Sequence, residues 1–169
     1  LYLMKIIKET FYKRFSVDVK IEILNDNDHD FLDFDSKNKI FTHRKGAVKI
    51  QPSRKGIWRK TGEPYFLPSY VGGEGYILSN YKGNKKSFFC SSHGVGRMYD
   101  KIETLKRFGK ISFQKSLENK IKLFRYNRDK IKSQNPKAFK NINLVLKSFK
   151  KYNLAFPICS LKPIASLKA

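Results

Sequence analysis

Carboxylates are scarce in this sequence: 14 Asp and Glu stand against 36 Lys and Arg, a formal net charge of +22 with a pI near 10.0. Such a chain points toward polyanions, either nucleic acid or an anionic membrane face. An A+T-rich coding sequence also yields a chain rich in Lys, Asn and Ile, so charge alone leaves both readings open. No paired carboxylates stand out, which leaves glycoside hydrolysis without support. Cysteine is nearly absent. Cys90 and Cys159 fit neither a CxxC nor a Cys/His zinc spacing, and no stretch reads as a signal peptide, so the expectation is a reduced, cytoplasmic protein. No apolar run approaches the roughly 20 residues of a membrane helix, which excludes a helical transmembrane function. Neither a P-loop nor a dinucleotide fingerprint is present.

What is present suffices for one domain. The chain has 169 residues, 40% of them apolar and 14% aromatic, enough to build a core and too many for a disordered tail. Its charge is uneven: residues 1–35 carry five bases and eight acids, and residues 36–169 carry 31 bases and six acids. The acidic stretch Asp26, Asp28, Asp30, Asp33 and Asp35, interleaved with Asn25, Asn27 and His29, lacks the Gly and terminal Glu of a calcium loop. It reads as an acidic turn between strands, with His29 a solvated turn residue.

Periodicity predicts a mixed α+β fold, mostly β. Residues 2–14 read as a helix, and 17–24 (VDVKIEIL) and 39–43 (KIFTH) as strands. Residues 48–60 read as a loop or irregular hairpin. Residues 64–78 (PYFLPSYVGGEGYIL) suggest strand, Gly-rich bend, strand. A turn at 82–85 leads into a strand at 87–91. Met98, Ile102, Leu105 and Phe108 recur at helical spacing up to Gly109. The tail offers a strand at 121–126, a helix after Pro136 with Ile142, Val145, Leu146 and Phe149 on one face, and a last strand over 156–167. No internal repeat or domain boundary is visible.

His93 is the sharpest candidate for chemistry. It sits at a predicted strand-to-helix corner in SSHGVGR, where small residues admit a ligand, a helix N-terminus offers free N–H groups, and Arg97 can grip a phosphate. An imidazole there can attack phosphorus or move a proton at neutral pH. His43 opens H-R-K-G-A, where cations and a glycine can hold phosphate. Trp58, Tyr65 and Tyr70 are candidates to stack on bases, though ordinary β-sheet packing is the stronger reading for each one singly.

Four strings in order, THRKGA at 42–47, LPSYVGGEGYIL at 67–78, CSSHGVGR at 90–97 and the terminal SLKPIASLKA, resemble the C-terminal part of the RtcB family of RNA-splicing ligases. The resemblance runs from about residue 39 to the C-terminus, with 1–38 matching loosely. It implies that residues 1–169 are the later part of a larger β-rich catalytic domain, an expectation that Leu1 in place of Met suits. It further implies an enzyme that uses GTP and manganese, two ions in the complete site, to join RNA 3′-phosphate or 2′,3′-cyclic phosphate ends to 5′-hydroxyl ends, in tRNA splicing or RNA repair.

By the same resemblance His93 is the guanylylated nucleophile, and Gly94, Val95 and Gly96 line the GMP phosphate and ribose. His43 matches a manganese-binding histidine, and Arg44 contacts the nucleotide. Pro68, Ser69, Tyr70 and Val71 match a nucleotide-contacting PGSM string, and Lys168 matches a penultimate lysine that contacts guanine nucleotide. Tyr70 and Gly75 stand where the family has serines, and Phe139 where it has tyrosine. The family's other manganese ligands come from an N-terminal half outside this sequence, so the 169 residues alone are expected to bind nucleotide weakly and to ligate poorly or not at all. The competing expectations are a non-enzymatic basic RNA-binding module, an inactive remnant, and a split enzyme that pairs with a separate chain. A membrane-surface role has the least support, because the basic tail helix is short.

Overall fold

The protein is described by a computed structural model covering residues 2–26, 28–50, 57–109, 113, 117–124 and 131–167. It opens with helix α1 (Tyr2–Phe15), none of whose residues is buried. Strands β1 (Asp30–Asp35) and β2 (Ile40–Lys45) form an antiparallel hairpin. The Asp35 carboxylate accepts from the Lys37 and Asn38 amides and shapes its turn. The acidic stretch is thus largely a strand, and the turn comes after it. Residues 17–24 form no strand. Val17, Ile23 and Leu24 stay exposed there, because no partner strand lies beside them to complete the ladder.

Strand β3 (Ala47–Lys49) pairs antiparallel with β6 (Cys90–Ser92). Strands β4 (Tyr65–Leu67), β5 (Gly75–Ser79) and β8 (Phe156–Leu161) make a three-stranded antiparallel sheet in the order β4-β5-β8. Pro157 is tolerated because β8 is an edge strand, and the register shifts opposite it, between Ile77 and Leu78. Strand β7 (Lys122–Phe124) pairs in parallel with β9 (Ala165–Leu167). The expected last strand is therefore two strands, with Pro163, which has no N–H to donate, between them.

Helix α2 (Lys101–Phe108) starts later than the periodicity suggested, because Asp100 is its N-cap and accepts from the Glu103 amide at 2.7 Å. Helix α3 (Ile142–Lys151) starts at the N-cap Asn141. The expected strand at 87–91 is shortened by a 3-10 turn, Lys85–Ser87, capped by Asn84, and by left-handed backbone at Phe88 and Phe89.

The core is built where these pieces meet. Val48, Ile50, Tyr65, Leu67, Leu78, Phe149 and Ala155 are buried together, with Ile142, Val145 and Leu146 packed against them. The apolar stripe of α3 thus covers one face of the three-stranded sheet. Burying each large side chain stabilises the fold by about 1.5–3 kcal/mol.

Candidate active site

Gly46 is the hub of the site. Continuing the β1–β2 ladder by one residue sets Gly46 opposite His29, and continuing the β3–β6 ladder sets the same glycine opposite His93. The backbone bears this out: the Gly46 amide donates to the His29 carbonyl at 2.7 Å, and the His93 amide donates to the Gly46 carbonyl at 3.4 Å. The two imidazoles consequently lie against one another, with ring centroids 4.7 Å apart and planes tilted by 31°. Gly46 has φ +65°, and a Cβ there would touch the His93 ring at 3.4–3.5 Å. Glycine serves both the turn and the closeness of the ring.

A second strap fixes the other side of His93. The Val95 amide donates to the Pro68 carbonyl at 3.2 Å, and Gly94 faces the same proline closely. The strap divides two clefts. One, of about 470 Å³, is lined by His93, His29, Asn25, Asp26, Tyr65 and Pro68 among others. The larger, of about 810 Å³, is lined by Ser69, Tyr70, Ser92, Val95, Phe139 and Lys140, with the first turns of α3 behind them. Neighbouring residues of both loops thus line different clefts, Pro68 and His93 the smaller, Ser69, Ser92 and Val95 the larger.

The walls of the larger cleft are held by backbone pairing between residues 96–98 and 138–140. The Met98 amide donates to Ala138 and the Lys140 amide to Gly96, at 2.8 and 3.1 Å. Arg97 locks this contact. Its guanidinium lies 4.6 Å above the Phe139 ring and donates to the Tyr99 carbonyl, the Thr104 hydroxyl and the Ser133 carbonyl. Arg97 therefore acts as an internal brace and not as the phosphate grip its sequence position suggested. Nor does His93 sit at a helix N-terminus, since α2 begins eight residues later and its first turn is capped by Asp100.

Arg44 is equally committed. Only 4% exposed, it donates to the Cys90 sulfur at 3.0 Å, to Asp33 at 3.1 Å and to the Phe88 carbonyl at 3.0 Å. The alternation of β2 turns the adjacent His43 outward, where its Nε2 lies 3.4 Å from Asp30 Oδ1, and His43 lines neither cleft. Ser69 donates to the Glu74 carbonyl within the Gly-rich bend. The Tyr70 ring lies 6.2 Å from that of Phe139. Val71 lines neither cleft, and Gly75 lies in β5, where a Cβ would strike the Phe66 ring. Gly96 has φ +76° and stands beside Lys140. Lys168 lies outside the described residues. Tyr65, 2% exposed with its hydroxyl 2.7 Å from Ser91, is not available for base stacking. Burial pushes its phenol well above the ordinary range.

The remaining charged groups support the hairpin. Hydrogen bonding to Lys49, and then the charge of Lys49 and Arg44, hold Asp33 below the usual carboxylate range against the opposing effect of burial. Against a manganese ion the described residues fall short. No three His, Cys, Asp or Glu side chains gather among them, whereas a hard divalent cation asks for a fuller shell of oxygen and nitrogen donors. His29 and Asp26 on one wall are a partial set only.

The family model described as "tRNA-splicing ligase RtcB" matches residues 1–169. The chain belongs to the RtcB family. It is 25% identical over 162 residues to the tRNA-splicing ligase RtcB of Nanoarchaeum equitans, covering 89% of this chain and 34% of that protein. It is 24% identical over 178 residues to that of Methanocaldococcus jannaschii, covering 96% of this chain and 18% of the relative. With the RNA-splicing ligase RtcB of Mycobacterium tuberculosis it shares 25% over 134 residues, which is 76% of this chain and 31% of the relative. The chain thus spans about a third or less of these RtcB relatives. The match includes residues 1–38, which the motifs alone covered loosely, and within them lies His29. Sequence reasoning gave His29 as a solvated turn residue; it is exposed in a bend, and what the reading missed is its place beside His93. The hairpin register could have found it, because a turn at 36–39 brings residue 29 opposite Gly46.

Proposed function

We propose that this RtcB chain carries the nucleophile and the nucleotide pocket of a GTP-dependent RNA ligase that joins 3′-phosphate or 2′,3′-cyclic phosphate ends to 5′-hydroxyl ends. The observation that carries the reading is that His93 lines one cleft while its neighbours Ser92 and Val95 line the other, with Gly46 setting no side chain against its ring. The aromatic pair Tyr70 and Phe139, with Lys140, suits a purine nucleotide in the larger cleft, its α-phosphate directed across the strap. A nitrogen of His93 then forms a bond to the α-phosphorus as the bond to pyrophosphate breaks, and pyrophosphate leaves with the electron pair. Water opens a 2′,3′-cyclic end to the 3′-phosphate as the 2′-oxygen leaves, and an oxygen of the RNA 3′-phosphate then takes the guanylyl group as the P–N bond to His93 breaks. The 5′-hydroxyl finally attacks the RNA phosphorus, loses its proton, and releases GMP.

In this reading manganese needs donors beyond those that the described residues bring together. The 169 residues on their own are therefore proposed to bind nucleotide weakly and to ligate poorly or not at all. Incubation with α-labelled GTP and manganese tests both parts. Weak, acid-labile labelling is expected, removed by His93→Ala and strengthened when the metal-binding part of a relative is supplied in trans. Labelling that survives His93→Ala overturns the nucleophile, and efficient ligation by the chain alone overturns its incompleteness.

The internal engagement of Arg44 and Arg97 favours a second reading, a basic RNA-binding module without chemistry. It predicts salt-dependent RNA binding that ignores His93→Ala, with no covalent GMP in either preparation.

A further inference from the structure

Residues 75–99 and 130–169 contain no Asp or Glu at all. The fold lays these two acid-free stretches side by side through the β5–β8 pairing. Two asparagines then clamp the loop after β5 to the end of α3. Asn80 donates from Nδ2 to the Asn153 and Leu154 carbonyls at 2.9 and 3.0 Å, and Asn84 donates to the Tyr152 and Asn153 carbonyls at 2.8 and 3.2 Å. Asn84 also caps the 3-10 turn Lys85–Ser87. The loop carrying Lys82, Lys85 and Lys86 is thereby fastened to the end of α3, whose Lys147, Lys150 and Lys151 share one helical face at i, i+3 and i+4.

None of these six exposed lysines forms an ion pair among the described residues. The dipole of α3 accounts for lysines in its last turn, but not for three more brought to the same place by a separate loop. Two large aromatic side chains flank them, Tyr81 at 51% exposure and Tyr152 at 61%. Each carries a lysine ammonium near its ring, Lys82 over Tyr81 at 5.5 Å and Lys151 over Tyr152 at 5.4 Å.

We propose that this face, formed by residues 81–86 and the last turns of α3, is a docking surface for a single strand of RNA. Lysines outside any ion pair attract the phosphate backbone, although Lys85 shares a cleft with Asp33 and Asp35, and exposed aromatic rings among them stack on unpaired bases, the combination that single-strand binders use. An anionic vesicle would use the lysines without needing the rings. Helix α3, about 15 Å long, lines the larger cleft with residues from Ile142 to Phe149 and carries Lys147, Lys150 and Lys151 over its last turns. A strand leaving the cleft has a charged path along α3. The proposal takes RNA as the partner from the function above, but does not depend on covalent chemistry at His93.

Fluorescence anisotropy of the full chain with a labelled single-stranded RNA, from about 50 to 200 mM salt, tests it. Changing Lys147, Lys150 and Lys151 together to Gln should weaken binding about tenfold or more and flatten the log–log salt slope by about 2. Tyr81→Ala with Tyr152→Ala should weaken single-strand binding at least fivefold while leaving duplex RNA and the salt slope unchanged. Changing Lys5, Lys8 and Lys13 on α1 to Gln should do neither. Labelling by α-labelled GTP is measured on each of these variants as well, so loss of guanylylation and loss of docking are read separately. Equal effects from the α1 and α3 variants, no RNA binding at low salt, or preference for phosphatidylserine vesicles that RNA does not displace would each overturn the proposal.

Discussion

His29 and His93 face one another at 4.7 Å although 64 residues separate them, because both are register neighbours of Gly46. A two-stranded hairpin and a three-residue ladder thus converge on one glycine. The geometry of the candidate nucleophile depends on that convergence more than on its own SSHGVGR string. This arrangement makes a first expectation concrete. Gly46→Ala places a Cβ at φ +65° against the His93 ring and should destabilise the protein by about 1 kcal/mol. Single-turnover labelling with α-labelled GTP should fall by about tenfold or more, since small misplacements of reacting groups carry large rate penalties. Unchanged labelling would show that Gly46 does not set the ring position.

Gly62 makes a harder test of packing. With φ +76° it presses on the Asn80 backbone, where a Cβ would come within 2.8–2.9 Å of three main-chain atoms that have no rotamer to change. Gly62→Ala should cost about 2 kcal/mol or more, read as a lower urea midpoint with an unchanged slope. Because Asn80 anchors the lysine-bearing loop, RNA affinity should fall with it.

Arg97 should not tolerate lysine. An ammonium cannot serve the Tyr99 and Ser133 carbonyls and the Thr104 hydroxyl while stacking on Phe139. Arg97→Lys is expected to lose about 1.5–3 kcal/mol in denaturant unfolding. Nucleotide binding should weaken as the 96–98 and 138–140 segments part. Full retention of both would mean that the brace is redundant.

Acid should loosen the β1–β2 hairpin through Asp33. Its folded-state pKa is lowered, chiefly by hydrogen bonding to Lys49, so its stabilising contribution is fully present above the ordinary carboxylate value of about 3.9. That contribution is lost as pH falls below this value and through the depressed folded one. Urea midpoints should show Asp33→Asn less stable than the parent near neutrality, with the gap closing as the pH drops below about 4. A gap that persists unchanged into acid would contradict the linkage.

Much of the site was legible in the chain. The order of the four motifs, the Gly-rich bend between two strands, and the apolar stripe of Ile142, Val145, Leu146 and Phe149 all found their counterparts in the fold. Side-chain periodicity and glycine placement are local properties, so a sequence displays them directly. Residues 17–24 alternated like a strand and formed none, because a strand exists only with a partner. Arg44 and Arg97 read as phosphate ligands, yet their guanidinium groups face carbonyl, hydroxyl, sulfur and carboxylate partners drawn from elsewhere in the chain.

The sequence by itself determined the charge, the family motifs, the identity of His93 as the residue to watch, and the two acid-free stretches. Only the tertiary structure decided that His29 stands beside it, that His43 turns away, and that a lysine-bearing loop is clamped to the end of a lysine-bearing helix. The physical reason is that strand register and asparagine clamps act between residues tens of positions apart. A chain records its own periodicities, but which distant groups meet depends on how those ladders align.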